Sequence, residues 1–243
     1  MKVYGWHAVI ARLERNPETV ERILIQSGRR DRRRRELEVL CRAAGLPIAL
    51  VSKRQLDVTV RGVHQGVVAD CDDEGGERDE SELAGLVEAA ADDALVVVLD
   101  GITDPRNLGA CIRTAEAAGA CAVMFPKRHS APITQVTRKA ASGATESVPW
   151  FGVTNLARTL RELRAYGVWI IGTHHDAPSL WHEVDYRRPV ALVFGSEGRG
   201  MRRLTRDHCD ELVRIPMAGS VETLNVSVAA GVCLFEVRRQ RLR

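Results

Sequence analysis

ALVVVLDGITDPRNLGACIRTAEAAGACAVMFP, residues 94–126, contains one complete strand–helix–strand unit. Ala94–Asp100 is an apolar run without polar alternation, the pattern of a strand covered on both faces. A proline-containing turn follows, and Asn107 stands where a helix N-cap is expected. From there Leu108, Cys111, Ile112, Ala115 and Ala118 recur at spacings of three and four, which predicts a helix with one buried face. Ala120–Pro126 reads as a second covered strand. A strand–helix–strand unit of this kind belongs to an α/β fold, with a parallel sheet carrying helices on both sides. Arg113 falls off the apolar stripe. It either forms a near-neutral surface pair with Glu116 or faces a polyanion or a second subunit.

The same alternation continues toward the C-terminus. Val168–His174, Val190–Gly195 and Glu211–Met217 read as strands, with helices in 155–167 and 201–210. Open parallel sheets bind ligands beyond the carboxyl ends of their strands, which directs attention to the loops after Asp100, His174, Gly195 and Met217. VFGSEGRGM (193–201) places three glycines between a strand and a helix. It is neither G-x-G-x-x-G, nor a Walker loop, nor a G-x-S-x-G elbow. Its glycines would let a ligand approach the backbone, and Glu197 would orient a ligand hydroxyl or cap the next helix. RIPMAGSVETLNVSVAAG (214–231) has Asn225 and Ser227 as helix-start residues. The helix that follows is apolar on every side as far as Val237, which predicts packing against more than the sheet, such as a second subunit.

Upstream lies a smaller alternating region. His7–Arg15 and Arg33–Gly45 read as helices; Glu21–Gln26, Pro47–Ser52 and His64–Cys71 read as strands. CDDEGGERDESEL (71–83) is charged and nearly free of apolar residues, as a linker would be. The expected organisation is a small N-terminal α/β domain over 1–71, an acidic linker and lead-in helix over 72–93, and a larger parallel-sheet domain over 94–243. Charge follows these divisions. Residues 1–70 hold 14 Lys+Arg against 8 Asp+Glu, residues 71–93 hold 1 against 10, and residues 94–243 hold 20 against 14. Two basic blocks around an acidic segment suit a polyanionic partner, with RNA the leading candidate. RRDRRRR (29–35) is either a solvated helix face or a grip on phosphates.

Other classes are excluded. No apolar run approaches the roughly 20 residues of a membrane span, and MKVYGWHAVI lacks the apolar core of a signal peptide, so a cytoplasmic location is expected. The six cysteines form no C-x-x-C pair and are expected to be buried, reduced thiols. His174 and His175 are adjacent rather than four apart, so no metal is expected.

DPRNLGACIRTAEAAG, FGSEGRGM and IPMAGSVETLNVSVAAG occur in this order at the ends of sheet strands. Together they resemble the three motifs of the SpoU/TrmH superfamily of S-adenosylmethionine-dependent RNA ribose 2'-O-methyltransferases. YGWHAVIARLE and VHQGVVA are similar to the substrate-binding domain of the branch that methylates a guanosine in the peptidyl-transferase P loop of 23S rRNA. The resemblance covers nearly the whole chain. It implies a trefoil-knotted catalytic domain of SPOUT type and a homodimer packed near the cofactor pocket. The expected partner is 23S rRNA or a large-subunit assembly intermediate. By motif position, Gly195, Ile215 and Leu224 would line the methyl-donor site largely through backbone groups, with Thr173, Met217 and Thr223 as neighbours. Thr223 replaces a serine common in the family, keeping the hydroxyl and adding a methyl. Asn107, Arg113, Glu197 and Asn225 match the family's catalytic positions. Because a guanidinium pKa exceeds about 12, Arg113 would act either as a base deprotonated transiently with help from an RNA phosphate, or as a charge stabilising the alkoxide. Three other readings compete: a tRNA guanosine 2'-O-methyltransferase, a non-catalytic RNA-binding assembly protein, and a Rossmann-type nucleotide enzyme. The absent G-x-G-x-x-G counts against the last.

Overall fold

The computed structural model describes residues 2–28, 31–60, 62–71 and 78–242. Residues 72–77 of the acidic linker and Arg29–Arg30 of the basic run lie outside the described residues. The chain begins with β1 (Lys2–Tyr4), α1 (Trp6–Arg15), β2 (Val20–Gln26), α2 (Arg32–Ala43), β3 (Ile48–Val51), α3 (Lys53–Thr59) and β4 (Val67–Cys71). It continues with α4 (Leu83–Ala90), β5 (Leu95–Asp100), α5 (Pro105–Ala117), β6 (Ala122–Pro126), α6 (Gln135–Ala141), α7 (Ala144–Ser147) and β7 (Trp150–Val153). The last elements are α8 (Leu156–Ala165), β8 (Trp169–Thr173), β9 (Ser179–Leu180), β10 (Val190–Gly195), α9 (Arg203–Arg206), β11 (Glu211–Arg214) and α10 (Val226–Arg241). They form two compact units: Met1–Gly76 with Ser142–Ser147, and Glu77–Ala141 with Val148–Arg243.

The first unit is built on a four-stranded mixed sheet, in the order β1-β4-β2-β3. Alternation along the strands gives it two apolar faces. Ile23, Ile25, Val67 and Ala69 pack with Trp6, Val9 and Leu13 of α1 and Leu37 and Cys41 of α2. Leu24 and Val68 pack on the other face with Leu56 and Val60. Asp70 on β4 accepts from Lys2 at 2.5 Å and Arg22 at 2.6 Å, clamping the two flanking strands. Partial burial works to raise its pKa, but these two cations together hold it below the usual carboxylate value. Arg12 of α1 donates to Glu146 of α7 at 3.0 Å, and both side chains are fully buried.

The second unit is a seven-stranded sheet in the order β7-β6-β5-β10-β8-β11-β9, parallel at every pairing. On one face α4 and α8 cover Val96, Val98, Met124, Phe151, Ile170 and Val193 through Leu83, Val87, Leu160 and Leu163. Elsewhere α10 packs on α5 and β10. From β5 the chain builds outward through β6 and β7, then returns to place β8 and β10 on the other side, with β10 directly against β5. Gly195 is level with Asp100 in that pairing, so the carboxyl ends of the two central strands finish together.

Three expectations are corrected. The N-cap of α5 is Asp104, which accepts from Arg106 N; Pro105 takes the first helical position, where its missing N–H costs nothing, and Asn107 lies inside the first turn. The final strand stops at Arg214 rather than Met217, because Ile215–Leu224 leaves the sheet. The last helix is not buried all round within one chain: Val226, Ala230, Cys233, Leu234 and Val237 are buried, but Val228 and Phe235, seven residues apart, are each 51% exposed. No helix among the described residues is long and apolar enough to cross a membrane.

Removing one member of a buried ion pair strands the other charge at a cost of about 3–5 kcal/mol. Glu146→Leu is therefore expected to lower the stability of the first unit by that amount in chemical denaturation, and Arg12→Met/Glu146→Leu by clearly less.

Candidate active site

The loops at the carboxyl ends of β8, β10 and β11 enclose a cleft of about 230 Å³. Thr173, Gly195, Ile215, Met217, Thr223 and Leu224, the positions singled out for the methyl donor, all line it. Phe194, Val226 and Ala229 add apolar wall; His174, Glu197, Arg199 and Glu222 add polar and charged groups. Among the described residues, Ile215–Leu224 makes no backbone–backbone hydrogen bond. Its N–H and C=O groups are thus uncommitted along one wall of the cleft, where a ligand can use them.

Local chemistry explains the shape. Ser196 and Gly200 exchange backbone hydrogen bonds at 3.1 and 2.9 Å, folding the glycine-rich loop back on itself. A Cβ at residue 195 would lie 2.1 Å from Met201 N, so only glycine fits there. The glycine thus serves the close approach of the loop's own backbone. The loop is also tied to β5. Asp100, whose side chain is fully buried, accepts from Arg202 N at 2.8 Å and faces Arg202 Nε at 2.9 Å. Sequence reasoning used Asp100 only as the end of a strand. A carboxylate closing an apolar run was the available signal.

Three distant stretches meet at Glu197. Its Oε1 accepts from Asn107 Nδ2 at 3.0 Å, Asn225 Nδ2 at 2.5 Å and Val226 N at 3.4 Å. Asn225 Nδ2 also reaches Asn107 Oδ1 at 3.2 Å. Asn225 Oδ1 accepts from Ser227 N at 2.9 Å and Ser227 Oγ at 2.6 Å, so Asn225 caps α10 as expected. Glu197 serves the N-terminus of α10, where negative charge is favoured, and not the helix that follows its own loop. Ser227, a helix-start residue by its sequence position, sets which way the Asn225 amide faces. Arg113 sits farther along α5, exposed at the surface of the single chain.

The thiols are structural. All six cysteines are free. Burial pushes Cys111 up to about 12, with the Glu197 charge adding to it, and Cys233 and Cys209 rise to about 12 for the same first reason. Nucleophilic thiolate chemistry therefore has no source at these three positions. The structure does gather His174, His175 and Asp176, with possible ligand atoms within 4.8 Å of one another. These groups already engage each other: His175 pairs with Asp176 at 3.0 Å, and Asp176 N donates to His174 Nδ1 at 3.2 Å. Burial, the His175 ring and Arg206 lower the pKa of His174, so the group lining the cleft is predominantly uncharged at neutral pH.

The SpoU rRNA Methylase family model matches residues 94–235, and the model for RNA 2'-O ribose methyltransferase substrate binding matches residues 2–74. The chain belongs to the SpoU rRNA methylase family. Within the range of known relatives it is 53% identical to the 23S rRNA (guanosine-2'-O-)-methyltransferase RlmB of Yersinia pestis over 240 residues, 98% of this chain and 97% of that one. It is 50% identical to the enzyme of the same name from Pseudomonas putida, over 99% and 96% of the two chains. Among solved structures, the SpoU methyltransferase AviRb of Streptomyces viridochromogenes in complex with its cofactor AdoMet matches with a TM-score of 0.83. That match is at 25% identity and covers 100% of this chain and 90% of AviRb. The family model spans all the strands and loops that build the cleft and the Glu197 cluster.

Asn225 both caps α10 and joins the cluster, and substitution separates the two tasks. Asn225→Ala is expected to lower stability by about 1 kcal/mol. Asn225→Ser is expected to restore most of that in thermal unfolding while, like the alanine variant, losing methyl transfer in a radiolabel assay.

Proposed function

We propose that this chain transfers a methyl group from S-adenosylmethionine to the ribose 2'-hydroxyl of a guanosine in 23S rRNA, in the peptidyl-transferase P loop. The observation that carries the reading is the joining of Asn107, Glu197 and Asn225 beside a cleft whose lining matches the family's cofactor positions. The substrate follows from the relatives named above, which align along nearly the whole chain. A tRNA substrate is less favoured, because the relatives that align along nearly the whole chain are named as 23S rRNA enzymes.

The cleft suits the cofactor. Apolar side chains from Phe194, Ile215, Leu224 and Val226 can cover a flat heterocycle, while uncommitted backbone groups of 215–224 can meet its polar edge. Gly195, Thr173, Met217 and Thr223 would complete the contact surface. When bound, the cofactor supplies a methyl group on a positively charged sulfur, open to in-line displacement by an oxygen nucleophile. No metal is required for that step.

The chain's own residues then act on the RNA. Glu197 holds the Asn107 and Asn225 amides in one orientation, so their dipoles are set before the ribose arrives. Arg113 would place its charge against the oxyanion that develops on the 2'-oxygen as an RNA phosphate or water takes the proton. Desolvation around the hydroxyl strengthens that attraction.

The same reading covers the remaining organisation. Residues 1–71 bind substrate, 72–93 link and lead in, and 94–243 catalyse. Membership of the family supports a trefoil knot in the segment between β11 and α10. The exposed Val228 and Phe235 of α10 fit a second copy of the chain, and a homodimer would cover them. The protein acts in the cytoplasm, where its RNA is made.

Arg113→Ala is expected to reduce methyl transfer at least a hundredfold while calorimetry shows S-adenosylmethionine binding nearly unchanged. Wild-type turnover in this variant would sink the assignment of Arg113. Failure of the wild-type protein to bind S-adenosylmethionine would sink the enzymatic reading altogether. Sedimentation of the same wild-type sample is expected to give a dimer's mass.

A further inference from the structure

The start of α2 concentrates positive charge. Arg32–Arg35 occupies its first turn, and the acidic residue at that end is the N-cap Asp31, which accepts from Arg34 N at 3.0 Å. Arg34 is paired with Glu38 at 2.7 Å. Arg33 is exposed and has no ion-pair partner among the described residues, and the same holds for Lys53 in the first turn of α3. Two exposed cations without ion-pair partners among the described residues are placed to meet a polyanion.

Arg33 and Lys53 stand at one recess of about 620 Å³, also lined by Gln26, Asp57, Val63 and His64. The recess is held in shape without a ligand. His64 is 5% exposed. Its Nδ1 accepts from Gly66 N at 2.9 Å, so Nε2 carries the proton shared with Asp57 Oδ1, also at 2.9 Å. Trp6 Nε1 donates to Gln65 O at 2.9 Å and fixes the loop that forms the wall. The chemistry is therefore divided. Two cations without ion-pair partners among the described residues are exposed, while the lining also offers the Gln26 amide, the Asp57 carboxylate and the exposed Val63 side chain.

We propose that this recess holds one unpaired nucleotide of the RNA substrate. Arg33 and Lys53 take the flanking phosphates. The base enters with its edge toward Gln26 and Asp57 and its face on Val63. Asp57 repels a phosphate but accepts from a base amino group, so the carboxylate favours this orientation over a second phosphate site. A base within a duplex has its pairing edge occupied, so the recess selects single-stranded or looped RNA. The proposal rests on the methyltransferase reading only for the identity of the polyanion.

The test uses the full chain and two RNA probes: a hairpin carrying the 23S P loop, and the same loop sequence annealed into a continuous duplex. Fluorescence anisotropy is read across a salt series. Arg33→Ala/Lys53→Ala is expected to weaken hairpin binding at least tenfold and to reduce the slope of log Kd against log salt by about 1.4, two contacts at about 0.7 each for single-stranded RNA. Gln26→Leu is expected to reduce the preference for hairpin over duplex while leaving the salt slope unchanged. Arg42→Ala, at the other end of α2, is expected to change neither. An unchanged hairpin Kd and slope in the double variant would overturn the proposal. So would equal losses on hairpin and duplex, which describe a general backbone patch. S-adenosylmethionine calorimetry on each variant reports folding of the catalytic unit. Selective hairpin binding without methyl transfer by the wild type would reject the proposed function and leave the recess standing.

Discussion

One carboxylate oxygen joins three stretches of chain that are far apart in sequence. Glu197 Oε1 takes N–H groups from Asn107, Asn225 and Val226, so the start of α5, the loop after β10 and the start of α10 are held at one point. Hydrogen bonds to a charged acceptor are worth about 1.5–3 kcal/mol each when sheltered, and less at a solvated site such as this. Their larger consequence is geometric. The Asn225 amide is constrained from both ends, by Glu197 at its nitrogen and by Ser227 at its oxygen. The two amides are thus held in one orientation without a ligand, the condition that the proposed role for them in stabilising developing charge requires.

That point depends on the sheet beneath it. Glu197 reaches Asn107 because β10 lies directly against β5 with their carboxyl ends level. The loop after β10 is folded tightly by its glycines and anchored to β5 through Asp100. The chain after β11 leaves the sheet and keeps its backbone groups uncommitted along the cleft. The scaffold is a parallel sheet of ordinary composition; its specificity comes from the irregular segments at one end.

Much of this was legible in the sequence. Uninterrupted apolar runs identify β5, β6, β8 and β10, because a strand buried on both faces needs apolar residues at nearly every position. The spacing of Leu108, Cys111, Ile112 and Ala115 placed the buried face of α5. Other features were not legible. β1 and β9 are too short to show a pattern, and α3 is mostly polar, defined by its Ser52–Gln55 capping box. Asn107 looks like an N-cap until Asp104 and Pro105 are seen to take the first two positions. The apolar circumference of α10 exceeds what one chain buries, since Val228 and Phe235 remain half exposed. Asn107, Glu197 and Asn225 could be chosen by resemblance, but their hydrogen bonding to one another depends on strand order, which periodicity does not encode.

The most direct measurement is a map of ribose 2'-O-methylation across rRNA and tRNA from cells with and without this gene. Loss of a single methyl group, on one guanosine of the 23S P loop, is the expected result. An unchanged 23S map, with loss confined to tRNA or no loss at all, would contradict it.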